Sequence, residues 1–269
     1  MANNSYIGVF DSGIGGLTVV KSIIESMPNE NIIYFGDTAH VPYGTRSPRQ
    51  VTEYVLSDVK FINTFDIKAI VIACNTADSI ARSKVEELYD LPVFGVVDPA
   101  SKRAAEVTKN NKIGVIATKA TINSGSYNDA IKKYNSDAEV FGVACPLLVP
   151  LVENGRFQKG DIVVTTVLKE YLEPLVSEGI DTLVLGCTHY PLLFDIIEEL
   201  YPTLQIISSS GVAAETLKED LVRTGSLSEA LGSDRKYFVS DDAEGFLHSA
   251  RIFMGDTLGG DVTLVNLDE

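Results

Sequence analysis

The chain has 269 residues, 45% of them apolar, and its 37 acidic against 22 basic residues give a formal charge of −15. That length fits one large α/β domain or two of ordinary size, and the apolar share supports a substantial core, which excludes a disordered chain. Such acidity repels a phosphate backbone and argues against nucleic-acid binding; an anionic substrate would need donors supplied locally by its site.

No apolar run approaches the ~18 residues of a membrane span. The opening Met1-Ala2-Asn3-Asn4-Ser5 lacks the basic-then-apolar pattern of a signal peptide. A cytoplasmic protein without a membrane partner is expected. The three cysteines, Cys74, Cys145 and Cys187, are too few for a disulfide framework and too widely spaced for a local metal knuckle, so no metal is expected.

In chain order, Tyr6 to Phe10 reads as a strand ending in Asp11-Ser12-Gly13-Ile14-Gly15-Gly16, with a helix from about Leu17 to Ser26. Ile32 to Phe35 is a second strand, and Pro48 to Thr64 a helix with Val51, Val55, Val59 and Ile62 near helical spacing. Ala69 to Ala73 is an apolar strand running into Cys74-Asn75-Thr76, followed by a helix from about Ala77 to Leu88 and a strand from Val93 to Val97. The second half repeats the plan. Strands are expected at Lys112 to Ala117, Glu139 to Val143 and Thr182 to Gly186, the last ending in Cys187-Thr188-His189 before a helix from Leu192 to Leu200. Ile206 to Gly211 reads as a strand and turn, and the tail from Tyr237 to Leu267 as short strands with a helix near Ala243 to Ile252. Continuous apolar strands between helices argue for parallel α/β architecture.

Ile7-Gly8-Val9-Phe10 matches Ile113-Gly114-Val115-Ile116 at an offset of 106, and Ile70 to Thr76 matches Leu183 to His189 at an offset of 113. The near-equal offsets suggest a duplicated unit. The expected fold is α/β with two pseudo-symmetric domains, each a mostly parallel sheet flanked by helices. Residues 1–97 plus 210–269 would form the N-terminal domain and 98–209 the second, with the active site in the cleft between them.

Ligands of open α/β sheets bind beyond the carboxyl ends of the strands, where the polar clusters fall. The glycines after Asp11 let backbone approach a carboxylate or phosphate at a helix N-terminus, or simply form a tight turn. Their spacing fits neither the dinucleotide fingerprint nor the Walker pattern. Cys74 and Cys187 each end a buried strand and open a polar turn, a setting that tends to lower a thiol's pKa. Cys145, in Ala144-Cys145-Pro146, reads as inert packing, and His40 and His248 as structural or surface residues. Two symmetric cysteines suggest one base and one acid on opposite faces of a single carbon, which racemisation requires. Asp11 and His189 are placed to tune them.

At Asp11-Ser12-Gly13-Ile14-Gly15-Gly16, Pro42-Tyr43-Gly44, Ala73-Cys74-Asn75-Thr76-Ala77 and Gly186-Cys187-Thr188-His189-Tyr190-Pro191 the sequence resembles the glutamate racemase family. The motifs keep that family's order and spread over nearly the whole chain. The resemblance implies interconversion of L- and D-glutamate without pyridoxal phosphate, metal or nucleotide. It makes Cys74 and Cys187 the acid/base thiols, the first handling the D enantiomer's α-proton and the second the L enantiomer's. Asp11 and His189 would assist, and Glu153 matches a carboxylate near the second cysteine. Ser12, Pro42, Tyr43, Gly44, Asn75, Thr76, Thr118, Thr121 and Thr188, with Asp11, His189 and the two cysteines, would bind substrate. It further implies a bacterial cytoplasm, a role in peptidoglycan synthesis and a homodimer. A serine stands in Ile207-Ser208-Ser209-Ser210-Gly211 where many members carry aspartate; no catalytic role is assigned there. The motifs hold no lysine or arginine, so neutral donors are expected to hold the substrate's carboxylates. Rival readings are an aspartate or hydantoin racemase, a single-cysteine decarboxylase or isomerase, a two-lobed binding protein, and a cysteine hydrolase.

Overall fold

The structure, a computed structural model, describes residues 4–267. Its strands are β1 (Tyr6–Asp11), β2 (Ile32–Gly36), β3 (Ile67–Ile72), β4 (Val93–Phe94), β5 (Lys112–Ala117), β6 (Glu139–Ala144), β7 (Thr182–Gly186), β8 (Gln205–Ser208), β9 (Arg235–Val239) and β10 (Val262–Leu264). The α-helices are α1 (Leu17–Ser26), α2 (Pro48–Ile62), α3 (Asn75–Leu88), α4 (Val97–Val107), α5 (Lys119–Ser124), α6 (Ser126–Tyr134), α7 (Leu148–Glu153), α8 (Ile162–Ser177), α9 (Phe194–Leu200), α10 (Ser209–Thr224) and α11 (Ala243–Met254).

The strands form two sheets, ordered β4-β3-β1-β2-β9-β10 and β8-β7-β5-β6, and every pairing is parallel. The order β4-β3-β1-β2 recurs as β8-β7-β5-β6, so the repeat seen in the sequence is a repeat of topology. All of β2 and β7, and nearly all of β1 and β3, are buried, which is why these segments are continuous apolar runs rather than alternating ones. Local signals place the helices. Ser47 caps α2 by accepting from the Gln50 N–H, with Pro48 in the first turn. Asp161 caps α8, and Gly225, at φ +68°, ends α10 in the left-handed region.

Three departures from the sequence reading have physical causes. The strand expected to reach Val97 stops at Phe94, because Asp78 accepts the Val96 and Val97 N–H groups (2.8 and 2.7 Å) and starts α4 there. The turn expected at Ser209 to Gly211 is the first turn of α10, a helix whose buried face is Ala213, Ala214, Leu217 and Leu221. Helices α4, α5, α6, α7, α8 and α10 have no counterpart in the sequence reading; α4, α6 and α10 are fixed by packing on one another and on α1.

One apolar cluster runs through both sheets, from Ile7 and Val9 of β1 to Leu183, Val184 and Leu185 of β7, with α1, α4 and α10 between them. A second fills the outer face of the larger sheet under α2 and α3. Among the described residues, no helix is long and apolar enough to cross a membrane.

Candidate active site

Because all strands of each sheet are parallel, the polar residues that follow them collect at one end. Ser12 follows β1, Pro42-Tyr43-Gly44 the loop after β2, Cys74 follows β3, Thr118 follows β5 and Cys187 follows β7. The two sheet ends face each other across a cavity of about 230 Å³. Ser12, Pro42, Tyr43, Gly44, Cys74, Asn75, Thr76, Thr118, Glu153, Cys187, Thr188 and His189 all line it. Asp11 and Thr121 do not; both are buried behind the wall, Asp11 against Cys74 and Thr121 under Thr76 and Thr118.

The cavity also takes in residues given no part by the sequence reading. Cys145, read as inert packing, lines it, because it follows β6 just as Cys187 follows β7. Lys119 borders it, so the site is not free of cations, although this side chain is exposed and pairs with no carboxylate among the described residues. Ile14, Val41 and Val149 supply apolar wall.

The two thiols are supported differently. Cys74 is the N-cap of α3, with its Sγ 3.6 Å from Ser12 Oγ. Burial and the adjoining Asp11 carboxyl push this thiol up to about 12, reversing the lowering expected at a helix N-terminus. Burial likewise raises Asp11, whose Oδ1 has no hydrogen-bond partner, although His189 and the Gly16 and Gly13 N–H groups oppose that rise. Cys187 instead meets a histidine. Its Sγ lies 3.8 Å from His189 Nδ1, and His189 Nε2 lies 2.9 Å from Glu153 Oε1. Burial alone would lower His189, but Cys187 and Glu153 outweigh it and push the imidazole up to about 10. The His189 ring is packed edge-on against Phe253 of α11, 5.5 Å between centroids, a contact no sequence pattern announced.

Polar contacts across the lobes fix both cysteine turns. Thr76, Thr118 and Thr121 form a hydroxyl triangle at 2.9, 3.2 and 3.0 Å. Tyr127 Oη donates to Asn75 Oδ1 (2.6 Å), Asn75 Nδ2 donates to Ser209 Oγ (3.5 Å), and Ser209 Oγ donates to the Leu185 carbonyl (3.0 Å). Thr18 Oγ1 lies 2.9 Å from both the Thr188 carbonyl oxygen and Ser210 Oγ. Ser209 and Ser210, given no role from sequence, therefore stand between the two cysteine turns. Their position straight after a strand, as with Asp11-Ser12, was the signal that could have found them.

The glycine run has a different use from the one expected. Gly13 lines the cavity, but Gly15 and Gly16 do not. A Cβ on Gly15 would lie 2.3 Å from Thr188 Oγ1 and 2.5 Å from the His189 ring, and one on Gly16 would lie 2.4 Å from Asp11 Cβ. These positions admit the opposite lobe and Asp11, not ligand.

Two matched α/β halves, each presenting a strand-end thiol to one shared cavity, are the frame of a racemase. The chain belongs to the Asp/Glu/hydantoin racemase family, whose sequence profile matches residues 7–217, and it is therefore an isomerase. Within that family it groups with the glutamate racemases. It is 45% identical over 265 residues to the glutamate racemase of Geobacter metallireducens, covering 97% of each chain. It is similar to the crystal structure of glutamate racemase isoform RacE1 from Bacillus anthracis (TM-score 0.91, 40% identity, 98% of this chain and 97% of that one). It is equally similar to that of glutamate racemase from Francisella tularensis in complex with D-glutamate (TM-score 0.92, 37% identity, 99% of each chain).

Proposed function

We propose that this chain interconverts L- and D-glutamate by a two-base mechanism without a cofactor. The observation that carries the reading is the placement of Cys74 and Cys187 after β3 and β7, equivalent strands of the repeat, on one cavity. Cys187, beside a cationic His189, starts as the base toward the L enantiomer; Cys74, its proton held by burial and Asp11, starts as the acid. The base takes the α-proton, leaving a carbanion; the acid returns a proton from the other face. The thiols have then exchanged states, and the reverse turnover resets them. Glu153 acts through His189, and Asp11 acts on Cys74.

The substrate's carboxylates are received by Ser12, Asn75, Thr76, Thr118, Thr188 and backbone N–H groups of the strand-end turns, with Thr121 bracing two of the hydroxyls. Lys119, at the rim, adds an attractive charge on an otherwise acidic protein. Residues 1–97 plus 210–269 and residues 98–209 form the two functional lobes, a division supported by the starts of α4 and α10 at Val97 and Ser209. The product D-glutamate would feed peptidoglycan synthesis in a bacterial cytoplasm, and the working unit is a homodimer.

Circular dichroism of L-glutamate and L-aspartate turnover tests the substrate, and preference for aspartate overturns the reading. Cys74→Ser and Cys187→Ser should each lower racemisation by at least ~100-fold, the scale of a lost general acid or base. Cys145→Ser should stay within several-fold of wild type; near-normal turnover in either of the first two variants removes the two-base scheme.

A further inference from the structure

One buried acid has no part in the mechanism above. Asp58 lies on α2 beside Val55, Val59 and Ile62, and like them it is fully buried. A lone carboxylate there would be strongly disfavoured. Its Oδ2 is 3.0 Å from Tyr43 Oη, and that oxygen is 2.5 Å from Asp37 Oδ2. Among the described residues no lysine or arginine is paired with either acid.

Counting protons decides which carboxyl is ionised. A phenol has one hydrogen to donate, and the shorter contact assigns it to Asp37. Asp37 also accepts from Ser240 Oγ at 2.8 Å, since the Ser240 oxygen is itself engaged by the Ala39 N–H at 2.9 Å. His40 Nδ1 lies 2.9 Å from both Asp37 oxygens, its ring stacked on Tyr54 at 4.1 Å. Tyr43 and Ser240 both donate to Asp37, and His40 adds a third hydrogen in the tautomer that carries it on Nδ1, so these contacts fit a carboxylate at Asp37. Asp58 has the opposite surroundings: its Oδ1 is buried without a partner, and its Oδ2 faces an oxygen whose hydrogen is already committed. That contact is a hydrogen bond only when Asp58 brings the proton.

We propose that Asp58 is held as the neutral carboxylic acid and donates to Tyr43 Oη, making it a positioning residue for the Pro42-Tyr43-Gly44 turn. Burial first, and the neighbouring Asp37 second, raise Asp58 well above the ordinary carboxylate range, in agreement with the proton count. The chain of donors runs from Asp58 to Tyr43 to Asp37 and ties α2 to the turn that walls the cavity. A Cβ on Gly44 of that turn would lie 2.8 Å from Thr118 Cβ, so the tie also sets how closely the turn meets the second lobe.

The inference rests on the reading of this turn as part of the glutamate pocket, and its test separates the two. Asp58→Asn keeps the shape and a donor; Asp58→Leu removes the donor. In infrared difference spectra at neutral pH, wild type should show a protonated-carboxyl carbonyl band that Asp58→Asn lacks. Backbone hydrogen exchange at residues 43–45 should be faster in Asp58→Leu and near wild type in Asp58→Asn. With glutamate, Asp58→Leu should raise KM roughly 10-fold with kcat within about 3-fold, the signature of lost ground-state binding, and Asp58→Asn should leave both near wild type. Absence of the band, unchanged exchange in Asp58→Leu, or an Asp58→Asn variant as impaired as Asp58→Leu each overturns the proposal. The first two measurements need no substrate, so they decide it even if wild type proves inactive on glutamate, which would instead overturn the functional reading.

Discussion

His189 is buried between a thiol and a carboxylate, and the balance of those contacts favours its cationic form up to about pH 10. A group whose folded pKa is raised above its unfolded value adds stability that is complete below the unfolded value and is lost as pH rises through the folded one. For His189 that window runs from 6.5 to about 10. Urea-unfolding midpoints should therefore fall across it in wild type, and His189→Asn should flatten the fall. Equal slopes in the two proteins would show that the imidazolium is not stabilised by its neighbours. The same asymmetry separates the thiols: Cys74 meets an acid and Ser12, Cys187 a histidine, so two positions matched by the repeat have different electrostatic surroundings.

Between strands and helices, the turns at the sheet ends matter most. Gly15 sits where the first lobe's β1–α1 turn meets the second lobe's Thr188 and His189. Gly15→Ala places a methyl group 2.3 Å from Thr188 Oγ1 and 2.5 Å from the His189 ring, so these side chains beside Cys187 must shift. A displacement near 1 Å at a reacting group can cost about 100-fold, and Gly15→Ala should lower kcat by one to two orders of magnitude while circular dichroism still reports a folded chain. An unimpaired kcat would mean that the two turns are independent. This turn also marks what the sequence makes legible. Strand ends and both cysteines are readable because parallel, doubly covered strands are long apolar runs with abrupt polar ends, and β5, β7 and α1 have the bounds their patterns predict. The direction each turn residue faces is not readable. Gly15 and Gly13 look alike in sequence, yet one admits a neighbouring lobe and the other lines the cavity. The place of Cys145 on the cavity was not readable for the same reason: Ala144 and Pro146 give no polar context, while its position after β6 brings this buried thiol to the cavity wall. Helix α4 begins at Val97, where the sequence reading still had strand, and its Asp98-Pro99 fits a helix start because proline is tolerated in the first turn.

Across the whole molecule, the cavity depends on both halves at once, since neither lobe alone carries both thiols. A ligand that bridges them should stabilise the folded chain by mass action, about 2.7 kcal/mol at ~100 times its Kd. D-glutamate at that level should raise Tm by roughly 5–11 °C, at ~2–4 °C per kcal/mol for a chain of this size, measured by calorimetry, and an equal or greater rise with D-aspartate would contradict the proposed substrate. The repeat, visible as two offsets in the sequence, is also what made the fold legible at this scale. The continuous core through α1, α4 and α10 was not, because contacts between distant segments leave no local period.

The sheet order β4-β3-β1-β2-β9-β10 has a consequence for a chain made from its N-terminus. Residues 235–239, which pair with β2, emerge from the ribosome only after the whole of the four-stranded sheet, residues 112–208. During synthesis β2 is thus an unprotected sheet edge for about 200 residues of elongation, the kind of edge that invites wrong pairing. The lobe begun first is the lobe completed last, and the nascent chain's vulnerable period ends only when β9 closes that edge.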